Sequence, residues 1–471
     1  MEKFLIVDLD KSLLKIDLFK ELLGKSLLNK PWLFCKTAFM AITSRAKAKI
    51  FISKEFKIEW HTLPFDNRVI NIIANYREKG YQIILATGAP DCYARPIANY
   101  LGLFDKVIAT DIDINNVGGN KLEAIKNEVG DDFIYLGDSV KDLPIWLYCK
   151  KSILVRDNIN IKKKLEKNSV EIIDIVKREK SILGVLLKQI RVHQWTKNLL
   201  LFVPALASHQ IMMPEIFINA LKSFIAFSML ASSVYVFNDI VDVDHDRKHP
   251  KNKSRPIANG NLSIFSAYSI LLVCFLIGGW LALGLGTPFI ILTTIYIVLN
   301  LLYSFYLKKV IILDVILIMS FYTLRLIAGH VPNEILLSPW MLSFSIFLFF
   351  SLGLLKRYVD TIIMHENNEP FLSGRSYSIN DSNMLMTLGT GSGLVSALVL
   401  ILYTGSDQIQ QFYTTPMVLV ALAPVMLYWI SRLWLMAERG MIKSDPVLYV
   451  VKDKISYLTF LIVLILLFAA S

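Results

Sequence analysis

From about residue 182 onward the chain carries nine apolar segments, each close to the length that a helix needs to cross a lipid bilayer. In chain order they are residues 197–213, 216–237, 264–283, 288–307, 310–330, 338–355, 385–403, 416–436 and 455–471. A hydrocarbon core of about 30 Å is spanned by about 20 apolar residues in a helix. The first segment is short and contains Pro204. This pattern predicts an all-α, polytopic membrane domain of about nine transmembrane helices.

The basic residues between these segments predict the orientation of the domain. They follow the even-numbered segments: Arg247, Lys248, Lys251, Lys253 and Arg255 the second, Lys308 and Lys309 the fourth, Lys356, Arg357 and Arg375 the sixth, and Arg439, Lys443, Lys452 and Lys454 the eighth. Cytosolic loops are enriched in lysine and arginine. We therefore expect a multi-pass protein of the inner (cytoplasmic) membrane whose C-terminus lies outside. The net charge of +11 then requires no nucleic-acid partner.

Residues 1–176 have a different pattern, in which short apolar strands alternate with charged helices. This predicts an α/β domain in front of a membrane domain of residues 177–471. The opening MEKFLIVDLDKSLL carries two aspartates in its apolar stretch and no cleavage-site pattern, which argues against a signal peptide. The four cysteines include no CxxC pair. We expect the front domain to stay in the cytosol.

Four polar elements follow one another in the front domain. Asp8 and Asp10 come at the end of an apolar strand, where α/β folds place their chemistry. The stretch IILATGA, with Thr87, comes next. Lys121 follows in GGNKLEAI, and Asp138 and Asp142 in GDSVKDLP. Alone, Asp142 would be a surface charge and Lys121 a solvated lysine. Together the four elements supply carboxylates, a hydroxyl and an ammonium group.

In this order the four elements resemble the haloacid dehalogenase superfamily of phosphatases. The resemblance covers the whole domain and implies a Rossmann-like α/β fold, with residues 16 to about 61 as a helical cap. Ser12 stands where threonine is commoner. The implied roles are Asp8 as nucleophile and metal ligand, Asp10 as general acid and base, Lys121 as the neutralising cation, Ser12 and Thr87 as phosphate-binding residues, and Asp138 and Asp142 as Mg²⁺ ligands.

An acidic stretch lies where the second apolar segment ends. Asn238, Asp242 and Asp246 recur every four residues and so lie on one helix face. Carboxylates at the end of a membrane helix are costly unless a cation occupies that face. A hard, oxygen-seeking ion such as Mg²⁺ suits them, and it would bring a diphosphate. Pro250 is expected to end the helix, after which Lys253 and Arg255 offer positive charge to the same anion.

The N-x-x-x-D-x-x-x-D pattern on the second of nine segments resembles the UbiA superfamily of intramembrane prenyltransferases, over residues 189–471. The stretch YSFYLKK, residues 303–309, sits where that superfamily often carries a tyrosine-lysine motif. Many members carry a second aspartate-rich motif after the sixth span. Here that place reads LLKRYVD, with Lys356, Arg357 and a lone Asp360. A Lys-Arg pair is better matched to phosphates than to a second metal.

The stretches RVHQWTKNLLLFVP, DRKHPKNKSRPIANG, LLKRYVD and GRSYS resemble one branch, the polyprenyl-phosphate phosphoribosyltransferases of cell-envelope synthesis. That resemblance implies phosphoribosyl diphosphate as donor and a polyprenyl phosphate as acceptor. It makes Asn238, Asp242 and Asp246 the holders of the donor's Mg²⁺-diphosphate, with Asp360 a further candidate metal ligand. The candidate phosphate-binding residues are Lys197, Arg247, Lys253, Arg255, Lys308, Lys356 and Arg357.

Other readings stay open at this level. An aromatic prenyltransferase would use a prenyl diphosphate and a 4-hydroxybenzoate-like acceptor. A transporter with a regulatory domain would require ionisable groups in mid-membrane, which the segments largely lack. The front domain is alternatively a binding module without catalysis. Arg325, inside the fifth segment, either has a function or extends to the membrane surface. Residues 182–195 either lie in the membrane interface or pack on the front domain.

A phosphoribosyl transfer would leave a 5-phosphate on the lipid-linked sugar. A phosphatase tethered at the same membrane face meets that product at roughly millimolar effective concentration. The sequence therefore predicts a bifunctional enzyme in which the front domain removes this phosphate.

Overall fold

The computed structural model describes residues 3–111, 115–149, 151–177, 181–366, 375–406, 409, 413–442 and 445–470. Lys443 and Gly374, which the loop and motif predictions included, lie outside this set. The chain divides into two compact units. The first consists of Met1–Val192 and Tyr235–Val273, and the second of His193–Val234 and Cys274–Ser471. The acidic stretch therefore belongs to the same unit as the front domain.

The first unit is built on a six-stranded parallel sheet of order β3-β2-β1-β4-β5-β6. The strands are β1 (Phe4–Val7), β2 (Gln82–Pro90), β3 (Lys106–Thr110), β4 (Phe133–Gly137), β5 (Lys151–Val155) and β6 (Glu171–Val176). Strand β1 consists of the apolar residues FLIV. Helices cover both faces of a parallel sheet, so side chains on both sides of the strand are buried. Leu5 and Val7 belong to the core on one face, and Ile6 to the core on the other. The predicted α/β fold is confirmed.

Helices cover the two faces of the sheet and form the cap. They are α1 (Leu18–Asn29), α2 (Pro31–Thr43), α3 (Arg45–Glu55), α4 (Asn67–Glu78), α5 (Asp91–Leu101), α6 (Gly119–Val129), α7 (Leu143–Cys149), α8 (Ile159–Lys167) and α9 (Ile182–Gln189). The cap is α1 to α3, as the sequence predicts. Asp17 caps α1 by accepting a hydrogen bond from the Lys20 amide, and Ser44 caps α3 in the same way. A bridge between Leu14 and Phe65 closes the neck of the cap.

The segment from Tyr235 to Val273 packs against cap helix α1. It contains the end of α11 (Pro214–Val241), then α12 (Val243–Lys248) and the start of α13 (Ile264–Leu283). The Arg247 guanidinium donates to both carboxylate oxygens of Glu21, at 2.7 and 2.9 Å, and its Nε donates to the Ala258 carbonyl at 3.0 Å. Burial alone would raise the pKa of Glu21, but the charge of Arg247 outweighs it and lowers this pKa to about 2.

A second buried carboxylate organises the same segment. Asp239 accepts hydrogen bonds from Gln189 at 3.0 Å, from Arg255 at 3.0 Å and from Arg191. Arg255 also donates to Asp246 at 2.6 Å. Helix α9, which ends at Gln189, is thereby fixed within the first unit. These contacts join α9 to the acidic stretch, and Ile182, Leu183 and Leu187 remain exposed, so both readings of residues 182–195 stay open.

The second unit contains most of the membrane domain. Its helices, in chain order, are α10 (Val203–Ala207), the N-terminal part of α11, the C-terminal part of α13, α14 (Thr287–Phe305), α15 (Leu313–His330), α16 (Pro339–Glu366), α17 (Ser382–Thr404), α18 (Leu422–Glu438), α19 (Pro446–Val450) and α20 (Lys454–Ala470). Within the described ranges, seven helices are long and apolar enough to cross a membrane. These seven correspond to the second to eighth predicted segments, and the chain is a multi-pass membrane protein.

The two outer segments of the predicted nine differ from the rest. The last forms α20, an apolar helix of 17 residues. The first is no continuous helix but a 3₁₀ run over Val192–Phe202 followed by the short α10. Proline has no amide hydrogen and fits only the first turn of a helix, which explains why a new helix starts beside Pro204. The count of nine is thus approximate at this end of the domain.

Arg325 on α15 is buried, with 4% of its surface exposed, which excludes the reading in which it extends to the membrane surface. Its Nε donates to Asn198 at 2.7 Å, and its Nη atoms donate to Tyr296 at 3.0 Å and to the Phe321 carbonyl at 2.6 Å. The guanidinium also lies over the Phe227 ring. Arg325 therefore ties the 3₁₀ run to α11, α14 and α15.

Small residues allow α17 to pack closely on its neighbours. A Cβ added at Gly389 would lie 2.2 and 2.4 Å from two ring carbons of Trp434, whereas one at Gly391 meets nothing within 4 Å. We predict that Gly389→Ala lowers the stability of the detergent-purified protein by about 1–3 kcal/mol, the usual cost of overpacking. Gly391→Ala, on the same helix, is the matched control and should be neutral or slightly stabilising. Equal melting temperatures for the two variants would contradict this packing.

A second prediction concerns the ion pair between Glu21 and Arg247. Glu21→Gln leaves a buried guanidinium without its carboxylate, which costs about 3–5 kcal/mol. We expect a clear fall in the melting temperature, whereas Lys20→Gln, an exposed change on the same helix, should have little effect. The double variant Glu21→Gln/Arg247→Gln should recover part of the loss, because neither charge is then buried alone. Additive losses in the double variant would show that the two side chains do not interact.

Candidate active sites

The front site lies at the carboxyl edge of the parallel sheet. Asp8 follows β1, Thr87 lies in β2 and Asp138 follows β4. These three strands are adjacent, since β1 pairs with both β2 and β4. Side chains at the carboxyl ends of neighbouring parallel strands meet at one edge. The fold thus brings together residues that are far apart in the sequence.

Lys121 is the central cation of this site. It projects from α6, is 3% exposed, and donates to Asp8 at 2.8 Å and to the Tyr135 hydroxyl at 3.0 Å. Asp142 lies 3.5 Å away. Burial alone would lower the pKa of Lys121, but the carboxylates of Asp8 and Asp142 outweigh it, and the pKa is raised. Lys121 therefore stays charged at neutral pH.

Tyr135 is a site residue that the sequence reasoning missed. It lies in β4, and its hydroxyl donates to Asp142 at 2.8 Å while it accepts from Lys121. Asp142 also accepts from the amide and the hydroxyl of Ser139, at 3.1 Å each. A tyrosine within a buried strand carries no distinguishing pattern in one sequence, so this contact becomes visible only in the fold.

Asp8, Asp138 and Asp142 bring carboxylate oxygens within 4.8 Å of one another. Burial, with the neighbouring carboxylates, raises the pKa of Asp8 to about 6 and of Asp138 to about 7, against the opposing effect of Lys121 on Asp8. The cluster is therefore short of positive charge. Oxygen ligands of this kind suit a hard divalent cation such as Mg²⁺, and the residues present fit one.

Asp10 and Ser12 lie on the turn after β1. Asp10 accepts a hydrogen bond from the Leu18 amide at 2.9 Å, and burial, followed by the charge of Asp17, raises its pKa to about 7. A carboxyl group with this pKa is protonated in a large fraction of molecules near neutral pH, and a general acid needs that proton. Ser12 donates to Asp8 at 3.3 Å, so it orients the predicted nucleophile.

Two residues close the other side of the site. Thr87 is fully buried, and its Oγ1 accepts from the Ala89 amide at 3.0 Å. Lys49, on cap helix α3, donates to the Gly88 carbonyl and to Asn115 at 3.2 Å, and burial lowers its pKa. The sequence reasoning did not identify Lys49, because nothing in the sequence alone indicates which cap lysine reaches the sheet.

The acidic stretch retains its four-residue register. The Asp242 amide donates to the Asn238 carbonyl at 2.9 Å, and the Asp246 amide to the Asp242 carbonyl at 2.8 Å. Asp242 itself interrupts the helix, since it stands between α11 and α12. Helix α12 ends at Lys248, and His249 is extended, as expected for a residue before Pro250. Asp242 is half-buried, while Asp246 is buried and held by Arg255.

The predicted phosphate-binding residues of the first unit have different environments. The guanidinium of Arg247 is buried against Glu21, where it holds α12 on the cap, and its predicted role in phosphate binding stays a prediction. Arg255 is shared between Asp239 and Asp246. Lys253 is exposed and remains accessible to a soluble anion. Asp239 was not identified from the sequence, although it stands next to Asn238.

In the second unit a buried polar network surrounds Arg357. This residue is fully buried and donates to Asp314 at 2.6 Å, to Asp360 at 2.8 Å and to the Tyr303 hydroxyl at 3.2 Å. Asp314 also accepts from Tyr377 at 2.6 Å. Arg357 is thus neutralised within the protein, and Asp360, a candidate metal ligand, is one of its partners. Asp314 and Tyr377 were not identified from the sequence.

Lys197 and Lys356 share one carboxylate. Lys356 lies 3.0 Å from Asp445 and Lys197 lies 3.8 Å from the same oxygen. Lys197 also lies over the Tyr322 ring. Lys308, after α14, is half-buried. Two ammonium groups therefore lie near one carboxylate oxygen, and charged donors of this kind also suit a phosphate. Asp445 was missed by the sequence reasoning.

Comparison with known proteins agrees with both parts of the chain. Residues 199–444 match the UbiA prenyltransferase family, and residues 6–146 match the haloacid dehalogenase-like hydrolases. An uncharacterised protein of Sinorhizobium fredii, y4nM, is 31% identical over 457 residues, covering 96% of this chain and 88% of that relative.

Two further relatives match the membrane part. Nodulation protein NoeC of Azorhizobium caulinodans is 31% identical over 266 residues, covering 56% of this chain and 85% of its own length. Decaprenyl-phosphate phosphoribosyltransferase of Mycolicibacterium smegmatis is 35% identical over 191 residues, covering 38% of this chain and 58% of that enzyme. The chain therefore belongs to the UbiA prenyltransferase family, as a multi-pass membrane enzyme that carries a haloacid dehalogenase-like hydrolase domain in front of its transferase domain.

Proposed function

We propose that the membrane domain transfers phosphoribose from phosphoribosyl diphosphate to a polyprenyl phosphate at the cytosolic face of the cytoplasmic membrane. The support is a single acidic motif, Asn238 to Asp246, in a domain whose second motif position holds a lone Asp360 instead of an acidic pair. Arg357 is paired there with Asp314 and Asp360, which leaves Lys356 as the basic residue of that position that can meet an anion. Basic residues suit the phosphate of the acceptor better than a second metal ion does. The decaprenyl-phosphate phosphoribosyltransferases among the relatives support the same donor and acceptor.

In this reaction a phosphate oxygen of the lipid bonds to the anomeric carbon, and the bond from that carbon to the diphosphate breaks. Asn238, Asp242 and Asp246 would hold Mg²⁺ with the donor. Bound Mg²⁺ would neutralise charge on the diphosphate that leaves. Lys197 and Lys356 would bind the acceptor phosphate, and both ammonium groups would also stay close to the carboxylate of Asp445.

We propose that the front domain is a phosphatase that acts on the product. Asp8 would attack the phosphorus of the 5-phosphate while Asp10 gives its proton to the departing sugar oxygen. Water would then hydrolyse the acyl phosphate on Asp8, with Asp10 taking the proton back. Lys121 would offset the charge of the phosphoryl group, and Mg²⁺ held by Asp8, Asp138 and Asp142 would offset the rest. The result is a polyprenyl-linked ribose and inorganic phosphate.

The observation that carries this proposal is the assembly of Lys121 with Asp8, Asp138 and Asp142 at one sheet edge, in a chain that also contains a UbiA domain. A buried lysine among three carboxylates is poorly suited to a simple binding module, because the unbalanced charge is costly without a metal and an anion. This favours a catalytic front domain over a domain that has lost catalysis.

The first test follows doubly labelled phosphoribosyl diphosphate into the lipid fraction, with purified protein, Mg²⁺ and a polyprenyl phosphate. Wild type should produce a lipid-linked ribose without its 5-phosphate. Asp8→Asn should produce a lipid that keeps the 5-phosphate, because only the nucleophile of the second step is missing. Asp242→Asn should produce little labelled lipid, because the donor is no longer held.

Each outcome of this test separates the two halves of the proposal. Labelled lipid that keeps its 5-phosphate in the wild type would leave the transferase intact and refute the coupled phosphatase. No labelled lipid in the wild type would refute the phosphoribosyl donor. Transfer from a prenyl diphosphate to an aromatic acid in the same preparation would then identify the chain as an aromatic prenyltransferase.

A further prediction isolates the proton donor of the front site. Asp10→Asn should reduce hydrolysis of the phosphorylated lipid by a factor of about 10²–10⁴, the usual contribution of general acid-base catalysis. Asp91→Asn, a partly exposed aspartate on α5 that pairs with Arg95, is the control and should hydrolyse at the wild-type rate. Transfer to the lipid should be unchanged in both variants. Unchanged hydrolysis in Asp10→Asn would remove this residue from the chemistry.

A further inference from the structure

The cap of the front domain has an unusual balance of charge. Residues 22–54 contain seven basic residues and no aspartate or glutamate. The basic residues are Lys25, Lys30, Lys36, Arg45, Lys47, Lys49 and Lys54. The stretch covers the last eight residues of α1, all of α2 and most of α3. Lys25 pairs with Glu21 and Asp244, Lys30 pairs with Glu55, and Lys49 faces the active site. The exposed cations that remain to face a partner are Lys36, Arg45, Lys47 and Lys54. A surface of this kind attracts anionic partners.

Helix α2 exposes a row of large apolar side chains along one face. Trp32, Phe39 and Ile42 are 58%, 70% and 82% exposed, and Cys35, between them, is exposed as well. The spacing of three, four and three residues places all four on one side of a helix. The opposite side holds the buried Leu33, which belongs to the core of the domain. A contiguous row of exposed apolar side chains on a folded domain indicates a surface that contacts a membrane or another protein.

The neighbouring cap helix contacts the beginning of a membrane-spanning helix. Gly24 of α1 lies so close to Ile264 that an added Cβ would be 2.7 Å from its Cγ2 atom. The hydroxyl of Tyr268 donates to the Gly24 carbonyl at 3.1 Å. Ile264 is the first residue of α13, one of the seven helices able to cross the membrane. Because α2 follows α1 after one residue, the apolar row is carried on a helix hairpin anchored at the level where α13 begins.

We propose that α2 lies in the membrane interface, with Trp32, Cys35, Phe39 and Ile42 among the lipids and the basic residues of the cap against anionic headgroups. Its length of 13 residues is too short to cross a bilayer but suits a helix that lies within the interface. Each lysine or arginine near an anionic surface adds to the attraction. This position of α2 in the membrane interface does not depend on which reactions the two active sites catalyse.

The charge pattern favours lipid over a second copy of the chain. Two caps that met through α2 would bring the exposed Lys36, Arg45, Lys47 and Lys54 of each copy together, and like charges oppose such an interface. An anionic bilayer matches both the apolar row and the charges around it. The contact of Gly24 with the start of α13 places a bilayer surface within reach, because that helix belongs to the same chain.

The test uses the full-length protein in nanodiscs that contain phosphatidylcholine and phosphatidylglycerol. Cys35 is labelled with an environment-sensitive dye in a Cys92→Ser background, since Cys149 and Cys274 are buried. Nitroxide lipids with a shallow label should quench this dye strongly, and aqueous iodide should quench it weakly. The control is a dye on Lys163→Cys in a Cys35→Ser/Cys92→Ser background. Lys163 is exposed on α8, so the control dye should respond in the opposite way.

A second variant distinguishes a loss of contact between α2 and the lipids from a loss of the fold. Trp32→Gln/Phe39→Gln/Ile42→Gln should lose most of the lipid quenching at Cys35 while its melting temperature stays near that of the wild type. Equal quenching of the Cys35 and Lys163 dyes by iodide would refute the proposal. Protection of Cys35 that persists in lipid-free detergent and rises with protein concentration would refute it too, and would identify a second copy as the occupant.

Discussion

The buried ion pair between Glu21 and Arg247 joins parts of the chain that are 226 residues apart. It connects the cap of the hydrolase domain to the helix that follows the acidic motif of the transferase. In a medium of low dielectric constant neither charge is tolerable alone, so each side chain fixes the position of the other. The cap and the acidic stretch consequently form one compact unit, even though the sequence assigns them to different domains.

The same constraint recurs wherever a charge is buried. Asp239 and Asp246 share Arg255, Asp314 neutralises Arg357, and Arg325 finds neutral oxygen partners and aromatic rings. In each case the pairing orders a junction between helices. The front site differs, because Lys121 faces several carboxylates and the balance remains negative. An unbalanced cluster of this kind suits a functional site, whereas a paired charge also stabilises the fold.

The apolar and acidic patterns predicted much of this arrangement. The α/β domain follows from the alternation of strands and helices, the cap follows from the family resemblance, and seven of the membrane helices follow from segment length alone. Asp8, Lys121, Asp138 and Asp142 were identified because each motif follows its strand in a fixed order. The first apolar segment was not predicted correctly as a continuous helix, because local hydropathy does not register the 3₁₀ run before Pro204.

By itself, the sequence determined the two-part organisation, the family resemblances and the residue types of the front site, because periodicity and motif order are local properties of the chain. Only the tertiary structure decided which charges are paired. Arg247 lies against Glu21, Asp445 lies between Lys197 and Lys356, and Tyr135 bridges Lys121 and Asp142. These partners are distant in the chain, and a buried charge selects its partner by proximity in space, which a single sequence does not encode locally.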